Sequence, residues 1–241
     1  DLPGMVLLGA AILIGMVGMT YLGEASTWSR VAGVTALATA GMLSWLFLRR
    51  ANRVSNPFIA PRLIHGRGFG AVNVVNVLYG GATVGIVSLV PLYAINRYHI
   101  GALASGTLLT AEAIAAAVLS VLGALALRRT GYRMPLYAGA AFGAAGMFAL
   151  AVGPHGVSAY TWLASATFLV GVGSGWANPA SRNAGLQLVP EQSSSIAALR
   201  TMGRRVGTIA SVSVVTAVIA GAAAPGVAQA YSFAGFGVLL L

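Results

Sequence analysis

The sequence contains no cysteine and no lysine, and only four of its 241 residues are acidic. The absence of cysteine excludes disulfides, thiolate metal sites and a cysteine nucleophile. Charged residues make up 7% of the chain, whereas about one quarter is usual in soluble domains. An ordinary soluble globule is therefore excluded.

Apolar residues and glycine fill the chain instead. Hydrophobic residues make up 58% of the sequence, 32 residues are glycine, and apolar runs recur along the whole length. Glycine is more frequent in membrane helices than in soluble ones. The composition therefore predicts an all-α, polytopic helical membrane protein.

The apolar runs divide the chain into membrane helices, because a helix needs about 20 apolar residues to cross the hydrocarbon core. Seven full helices are predicted at 5–22, 31–48, 69–93, 102–127, 134–152, 160–180 and 196–220. A final helix begins near Gln229 and is cut short at Leu241. Since the chain also opens at Asp1 without a methionine, we expect it to be a fragment of a longer protein.

Arginine placement predicts the orientation of these helices. Twelve of the 14 arginines fall on one side, and only Arg30 and Arg97 fall on the other. Because positive residues accumulate in cytoplasmic loops, we expect a multi-pass protein of the cell membrane with its Asp1 end inside the cell. No basic stripe interleaved with aromatic residues is present, so no nucleic acid partner is expected.

The longest polar connection, 49–68, separates the first two helices from the rest and is predicted to be cytoplasmic. It contains five arginines together with Asn56, Pro57 and Pro61. These arginines either anchor the topology or recruit anionic lipid.

The helix predicted at 69–93 is amphipathic within the membrane. One side carries Asn73, Asn76, Gly80 and Thr83, and the other carries Val75, Leu78, Ala82, Ile86 and Leu89. Because polar amides in hydrocarbon need partners, the asparagine side is expected to face the bundle or a wet cavity. Interhelical hydrogen bonding and substrate contact both explain this pattern.

The helix predicted at 160–180 carries three glycines two residues apart, at Gly171, Gly173 and Gly175. A dinucleotide-binding motif is excluded, since it would need a preceding strand. Gly171 and Gly175, four residues apart, instead favour close packing of two membrane helices. Beyond them, Asn178 and Pro179 predict a kink near Trp176, either beside a substrate or without any role.

Glu112 is the only acid well inside a predicted membrane helix, about 15 Å from the start of that helix. It shares a face with Ser105, Ala116 and Gly123, so its carboxyl is expected to point into the bundle. A charge at that depth costs at least about 2.5 kcal/mol. Either Glu112 exchanges a proton for a cationic substrate, or it is permanently protonated and hydrogen-bonded to a neighbour such as Asn73 or Asn76.

The three histidines, His65, His99 and His155, lie in different loops on two sides of the membrane, so they cannot form one metal site. No HExxH motif and no serine–histidine–aspartate set is available. We therefore expect no catalytic residues, no metal and no cofactor.

Five short motifs together resemble the carboxy-terminal half of the fourteen-helix drug/proton antiporter branch of the major facilitator superfamily. They are, in order, Asp1-Leu2-Pro3-Gly4; Asn56-Pro57 with Arg67-Gly68-Phe69; Leu127-Arg128-Arg129-Thr130-Gly131-Tyr132-Arg133; the glycine-rich segment 171–175; and Leu199-Arg200-Thr201-Met202-Gly203-Arg204-Arg205-Val206-Gly207. Arg128, Arg129, Gly131 and Arg133 resemble the cytoplasmic loop motif of that family, but Arg128 stands where the family has an aspartate.

The resemblance implies that 1–48 is a linker pair of membrane helices and that 69–241 is the second transporter half, with a missing amino-terminal half as partner. It implies a substrate cavity between the halves, near the bilayer midplane. The function expected is proton-coupled export of small amphipathic or cationic compounds across the lipid bilayer, as in multidrug efflux. A non-transporting scaffold or partner subunit and an uptake carrier of the same superfamily are the alternatives.

Overall fold

A computed structural model describes the whole chain except residues 25, 55–56, 58, 60–68, 155 and 189–192, and in this part the fold is all-α. The chain forms a helical hairpin, then a broken membrane-spanning helix, then five further helices. Most of the predicted connection 49–68 lies outside the described residues, although the second helix of the hairpin extends into its start.

The hairpin consists of α1 (Leu2–Leu22) and α2 (Thr27–Ala51). A Cβ atom built on Gly33 would lie 2.9 Å from the carbonyl oxygen of Gly18, so the two backbones cross closely. Asp1 links the start of α1 to the end of α2. Its Oδ1 accepts hydrogen bonds from the Gly4 backbone N–H at 3.0 Å and from Arg50 Nε at 2.9 Å. Asp1 thereby caps α1 and holds α2 beside it.

The next helix, called the third span here, changes helix type along its length. It comprises α3 (Phe69–Tyr79), a π-helical segment (Gly80–Ile86), a short 3₁₀ turn (Val87–Leu89) and α4 (Val90–Tyr98). The sequence pattern placed Ala82 and Ile86 opposite the asparagines, yet both are buried to 1% exposure. A π helix holds more residues per turn than an α helix, so side chains beyond Gly80 no longer follow the α-helical faces.

The remaining helices are α5 (Ala102–Thr130), α6 (Arg133–Ala151), α7 (Ala159–Leu188), α8 (Ser193–Ala220) and α9 (Pro225–Leu240). α7 lies between α5 and α6, α8 packs along the third span, and α9 packs on α6. α1 contacts α8, which attaches the hairpin to the rest. α7 is therefore the central helix of the second part of the chain.

Six of the described helical segments are long and apolar enough to cross a membrane, so this is a multi-pass membrane protein. They are Leu2–Leu22, Thr27–Ala51, Val72–Tyr98, Ala102–Leu127, Arg133–Ala151 and Ile196–Ala220. The predicted span 160–180 within α7 is not among them, because α7 is rich in glycine, serine and threonine, so the seventh full span stays a prediction. Thr167, Gly171, Gly173, Ser174 and Gly175 are buried, since α7 packs between two helices.

A hydrogen bond near the end of the third span joins it to α9. Gln229 of α9 is completely buried, and its Nε2 donates a hydrogen bond to the Leu89 carbonyl at 2.7 Å. Leu89 ends the 3₁₀ turn, where the regular helical hydrogen-bond pattern is interrupted. The glutamine side chain thus donates a hydrogen bond to a backbone carbonyl where the helix changes type.

Candidate substrate and proton site

Glu112 lies midway along α5, and its carboxyl faces α7. Ser174 Oγ of α7 donates a hydrogen bond to Glu112 Oε1 at 3.4 Å and also to the Gly171 carbonyl at 3.0 Å. Because a serine hydroxyl has a single proton, the longer contact with Glu112 is weak. Asp1 with Arg50 is the one ion pair in the described part of the chain, so within it no cation neutralises Glu112.

The glycines of α7 bring Ser174 to this position. A Cβ atom on Gly171 would lie 2.9 Å from Ala115 Cβ, and one on Gly175 would lie 2.7 Å from Leu119 Cβ. Because glycine has no side chain, the backbone of α7 can pack closely against α5 on both sides of Ser174.

The faces of α5 agree with the sequence pattern. Ser105 and Gly123 are buried, whereas Leu103 is 88% and Ile114 60% exposed. The aliphatic face of α5 is therefore turned away from the described helices, and Glu112 borders the buried face.

The predicted asparagines of the third span lie against α7 and α8. Asn76 is buried, and its Oδ1 accepts a hydrogen bond from Ser181 Oγ of α7 at 2.9 Å. Asn73, one turn earlier, is half-buried, and its carbonyl oxygen would lie 3.9 Å from a Cβ atom on Gly203 of α8. Glu112 and Asn76 thus have different partners, both serines of α7.

Pro179 lies within α7, which continues for nine residues to Leu188. The prediction that this helix ends near residue 180 was therefore too short. Trp176, where a kink was predicted, is half-buried, and its Cα would lie 3.5 Å from a Cβ atom on Gly123 of α5. This places the tryptophan backbone at the crossing of α5 and α7.

Asn178 binds two arginines that the sequence pattern linked only to membrane orientation and to the family resemblance. Arg200 Nη2 of α8 donates to the Asn178 carbonyl at 3.2 Å and to its Oδ1 at 3.3 Å, and Arg204 Nη1 donates to the same Oδ1. Both arginines are half-buried. Their spacing of four residues, which places them on one helix face, was the available sequence signal.

Two further hydrogen bonds tie the third span to its neighbours. Tyr79 donates from its hydroxyl to the Gly173 carbonyl of α7 at 2.8 Å, and Thr208 Oγ1 of α8 donates to the Gly80 carbonyl at 3.0 Å. Neither Tyr79 nor Thr208 stands out in the sequence pattern. The predicted residue Glu112 therefore contacts Ser174, Asn76 contacts Ser181, and Asn178 contacts the two arginines of α8.

Comparison with known protein families identifies the family to which this chain belongs. The sequence model described as Major Facilitator Superfamily matches residues 4–212, which is most of the chain. The chain belongs to the Major Facilitator Superfamily. A comparison with curated proteins found no match.

Membership in the Major Facilitator Superfamily makes this protein a membrane transporter, for which a lipid bilayer and a small-molecule substrate are the implied partners. Members of the superfamily are typically not enzymes.

The loop that resembles the cytoplasmic motif of this superfamily joins α5 to α6 through only two residues. Gly131 has φ 66°, a backbone conformation that glycine adopts without strain. Arg129 and Arg133 are exposed on either side of the turn. The side chain of Arg128 lies outside the described part of the chain.

Proposed function

We propose that this chain is part of a proton-coupled exporter of small amphipathic or cationic compounds, and that Glu112 binds the proton or the cation. The observation that carries the proposal is the position of Glu112. It is a carboxyl group about 15 Å into a membrane span, with Ser174 as a weak hydrogen-bond donor.

A carboxyl group in this position needs either a proton or a cation. A negative charge at this depth is costly, and one weak hydrogen bond offsets only part of that cost. Exchange of the proton for a cationic substrate keeps the site neutral in both states. This exchange is the elementary step of an antiporter.

The family branch and the division of the chain belong to the same proposal. In it, α1 and α2 are the linker pair, and the third span through α9 is the second half of a fourteen-helix transporter. A missing amino-terminal half would complete the cavity near the bilayer midplane, because alternating access needs two units that move against each other. Asn73, Asn76, Trp176 and Asn178 are proposed to border that cavity.

The test is Glu112→Gln in the complete protein, with Glu24→Gln as the matched control. Glutamine keeps the shape of the side chain and removes the acid. Glu24 is an exposed acid in the loop after α1, where it accepts a hydrogen bond from Ser29 Oγ at 2.6 Å. Export of a cationic dye and of a neutral compound would be measured in proteoliposomes under an imposed pH gradient.

We expect Glu112→Gln to reduce export of the cationic dye by about tenfold or more, with less effect on the neutral compound and none from Glu24→Gln. If Glu112→Gln leaves both the cation flux and its pH dependence unchanged, Glu112 is a permanently protonated structural group. The same assay separates the alternatives, since an uptake carrier would move the dye inward and a scaffold would move nothing.

A further inference from the structure

Arg200 and Arg204, called the arginine pair here, converge on a single neutral residue. Together they donate to two oxygens of Asn178, its carbonyl and its side-chain Oδ1. Both lie within the span Ile196–Ala220, roughly 6 and 12 Å from its start. Two positively charged side chains of a membrane helix are thus hydrogen-bonded to one uncharged asparagine residue.

Three of the four acids of the chain are described, and each has a partner elsewhere. Asp1 binds Arg50, Glu24 accepts from Ser29, and Glu112 accepts from Ser174. The arginine pair therefore has no acidic partner within the described residues. The fourth acid, Glu191, lies outside them.

One nitrogen atom of the arginine pair has an N–H donor without an acceptor among the described residues. The Nε atom of Arg200 is buried and has no hydrogen-bond partner in the described structure. A guanidinium group has five N–H donors arranged as a planar fork, which matches the oxygens of a phosphate or carboxylate group. Charged groups inside a membrane protein are costly unless they are paired.

We propose that the arginine pair binds a phosphate-type oxyanion, with Asn178 as the residue that positions both guanidinium groups. The anion supplies the negative charge and the acceptor oxygens that the amide lacks. It has two sources, the phosphate group of an anionic phospholipid or free phosphate from the aqueous phase. This site is distinct from the Glu112 site and does not depend on the direction of transport.

The experiment measures the thermal unfolding midpoint of the complete, purified protein in lipid nanodiscs. In one arm, discs of phosphatidylcholine are titrated with inorganic phosphate against chloride at equal ionic strength. In the other arm, phosphatidylglycerol replaces part of the phosphatidylcholine. A ligand that binds only the folded protein raises the midpoint, so each arm gives an apparent affinity.

The matched variants are Arg204→Gln and Arg205→Gln, which remove the same charge from neighbouring positions. Arg205 is exposed, whereas Arg204 donates to Asn178. Arg200→Gln carries the same test if Arg204→Gln does not fold. A third variant, Glu191→Gln, examines the remaining acid.

We expect the wild-type midpoint to rise with phosphate or with phosphatidylglycerol, and the arm that responds identifies the source. Arg204→Gln should weaken the apparent affinity by about tenfold, and Arg205→Gln by less than about twofold. The proposal is overturned if neither anion raises the wild-type midpoint, or if Arg204→Gln responds as wild type does. It is also overturned if only Glu191→Gln makes the protein respond, because Glu191 would then be the internal counter-ion.

Discussion

Ser120 of α5 donates a hydrogen bond from its Oγ to the carbonyl oxygen of Gly175 of α7 at 3.4 Å. In an uninterrupted α helix, that carbonyl accepts from the N–H four residues later, at position 179. Position 179 is proline, which has no N–H. The Gly175 carbonyl, which has no N–H donor at position 179 of its own helix, thus accepts a hydrogen bond from Ser120 of α5.

This relationship predicts coupling between Ser120 and Pro179. Ser120→Ala should lower the free energy of unfolding by about 0.5–1 kcal/mol, since the Gly175 carbonyl then loses its donor. In a Pro179→Ala background the loss should be smaller, because alanine supplies the missing N–H. A double-mutant cycle of unfolding measurements tests this, and strictly additive losses would contradict it.

The crossing of α6 and α7 predicts that a side chain at position 173 destabilises the fold. A Cβ atom there would lie 2.5 Å from both the Gly139 carbonyl oxygen and the Gly143 backbone nitrogen. Gly173→Ala should therefore lower the free energy of unfolding by about 1–3 kcal/mol. Gly106→Ala is the control, since nothing lies within 4 Å of its added Cβ; equal losses in both would refute the packing argument.

Gln229→Leu should destabilise the break in the third span. The substitution keeps side-chain volume but removes the donor to the partly buried Leu89 carbonyl, at an expected cost of about 0.5–1.5 kcal/mol. Ser232→Ala, one turn further along α9, removes a hydroxyl that donates to its own helix at the Ala228 carbonyl, 3.1 Å away. Thermal unfolding in detergent compares the two, and a stability loss no larger for Gln229→Leu would count against this role.

The arginine distribution predicts that the end of α2 is cytoplasmic and that the loop before α7 is outside the cell. Because the chain has no cysteine, Asn52→Cys and Ser158→Cys provide single labels at exposed positions. In intact cells a membrane-impermeant maleimide should label only Ser158→Cys. Labelling of Asn52→Cys alone would reverse the orientation, and permeabilised cells provide the control for reactivity.

Helix positions followed from apolar run lengths, whereas the internal break in the third span did not. Gly80 and Gly81 would each bring an added Cβ into atoms of α8, so the close approach of that helix accompanies the π segment. Such contacts depend on which helices become neighbours. The sequence shows glycines in a run, but it does not show what lies against them.

The candidate site was predictable only where the signal lies within a single helix. Glu112 stood out because a lone acid in an apolar run is unusual, and its facing direction followed from helical spacing. Arg200 and Arg204 looked like ordinary residues of a cytoplasmic helix end, and Asn178 looked like part of a proline kink. Their contact joins α7 to α8 across a segment of 22 residues, a relationship that helical periodicity does not encode.

The depth of Glu112 has an electrical consequence. The residue lies ten positions into the 26-residue span Ala102–Leu127, about 40% of the way across by helical rise. A proton that reaches this carboxyl from either side crosses roughly half of the membrane voltage, which amounts to about 1 kcal/mol per 100 mV. Occupancy of Glu112 by a proton would therefore respond to the membrane potential itself, and not only to the proton concentration on the side from which the site is reached.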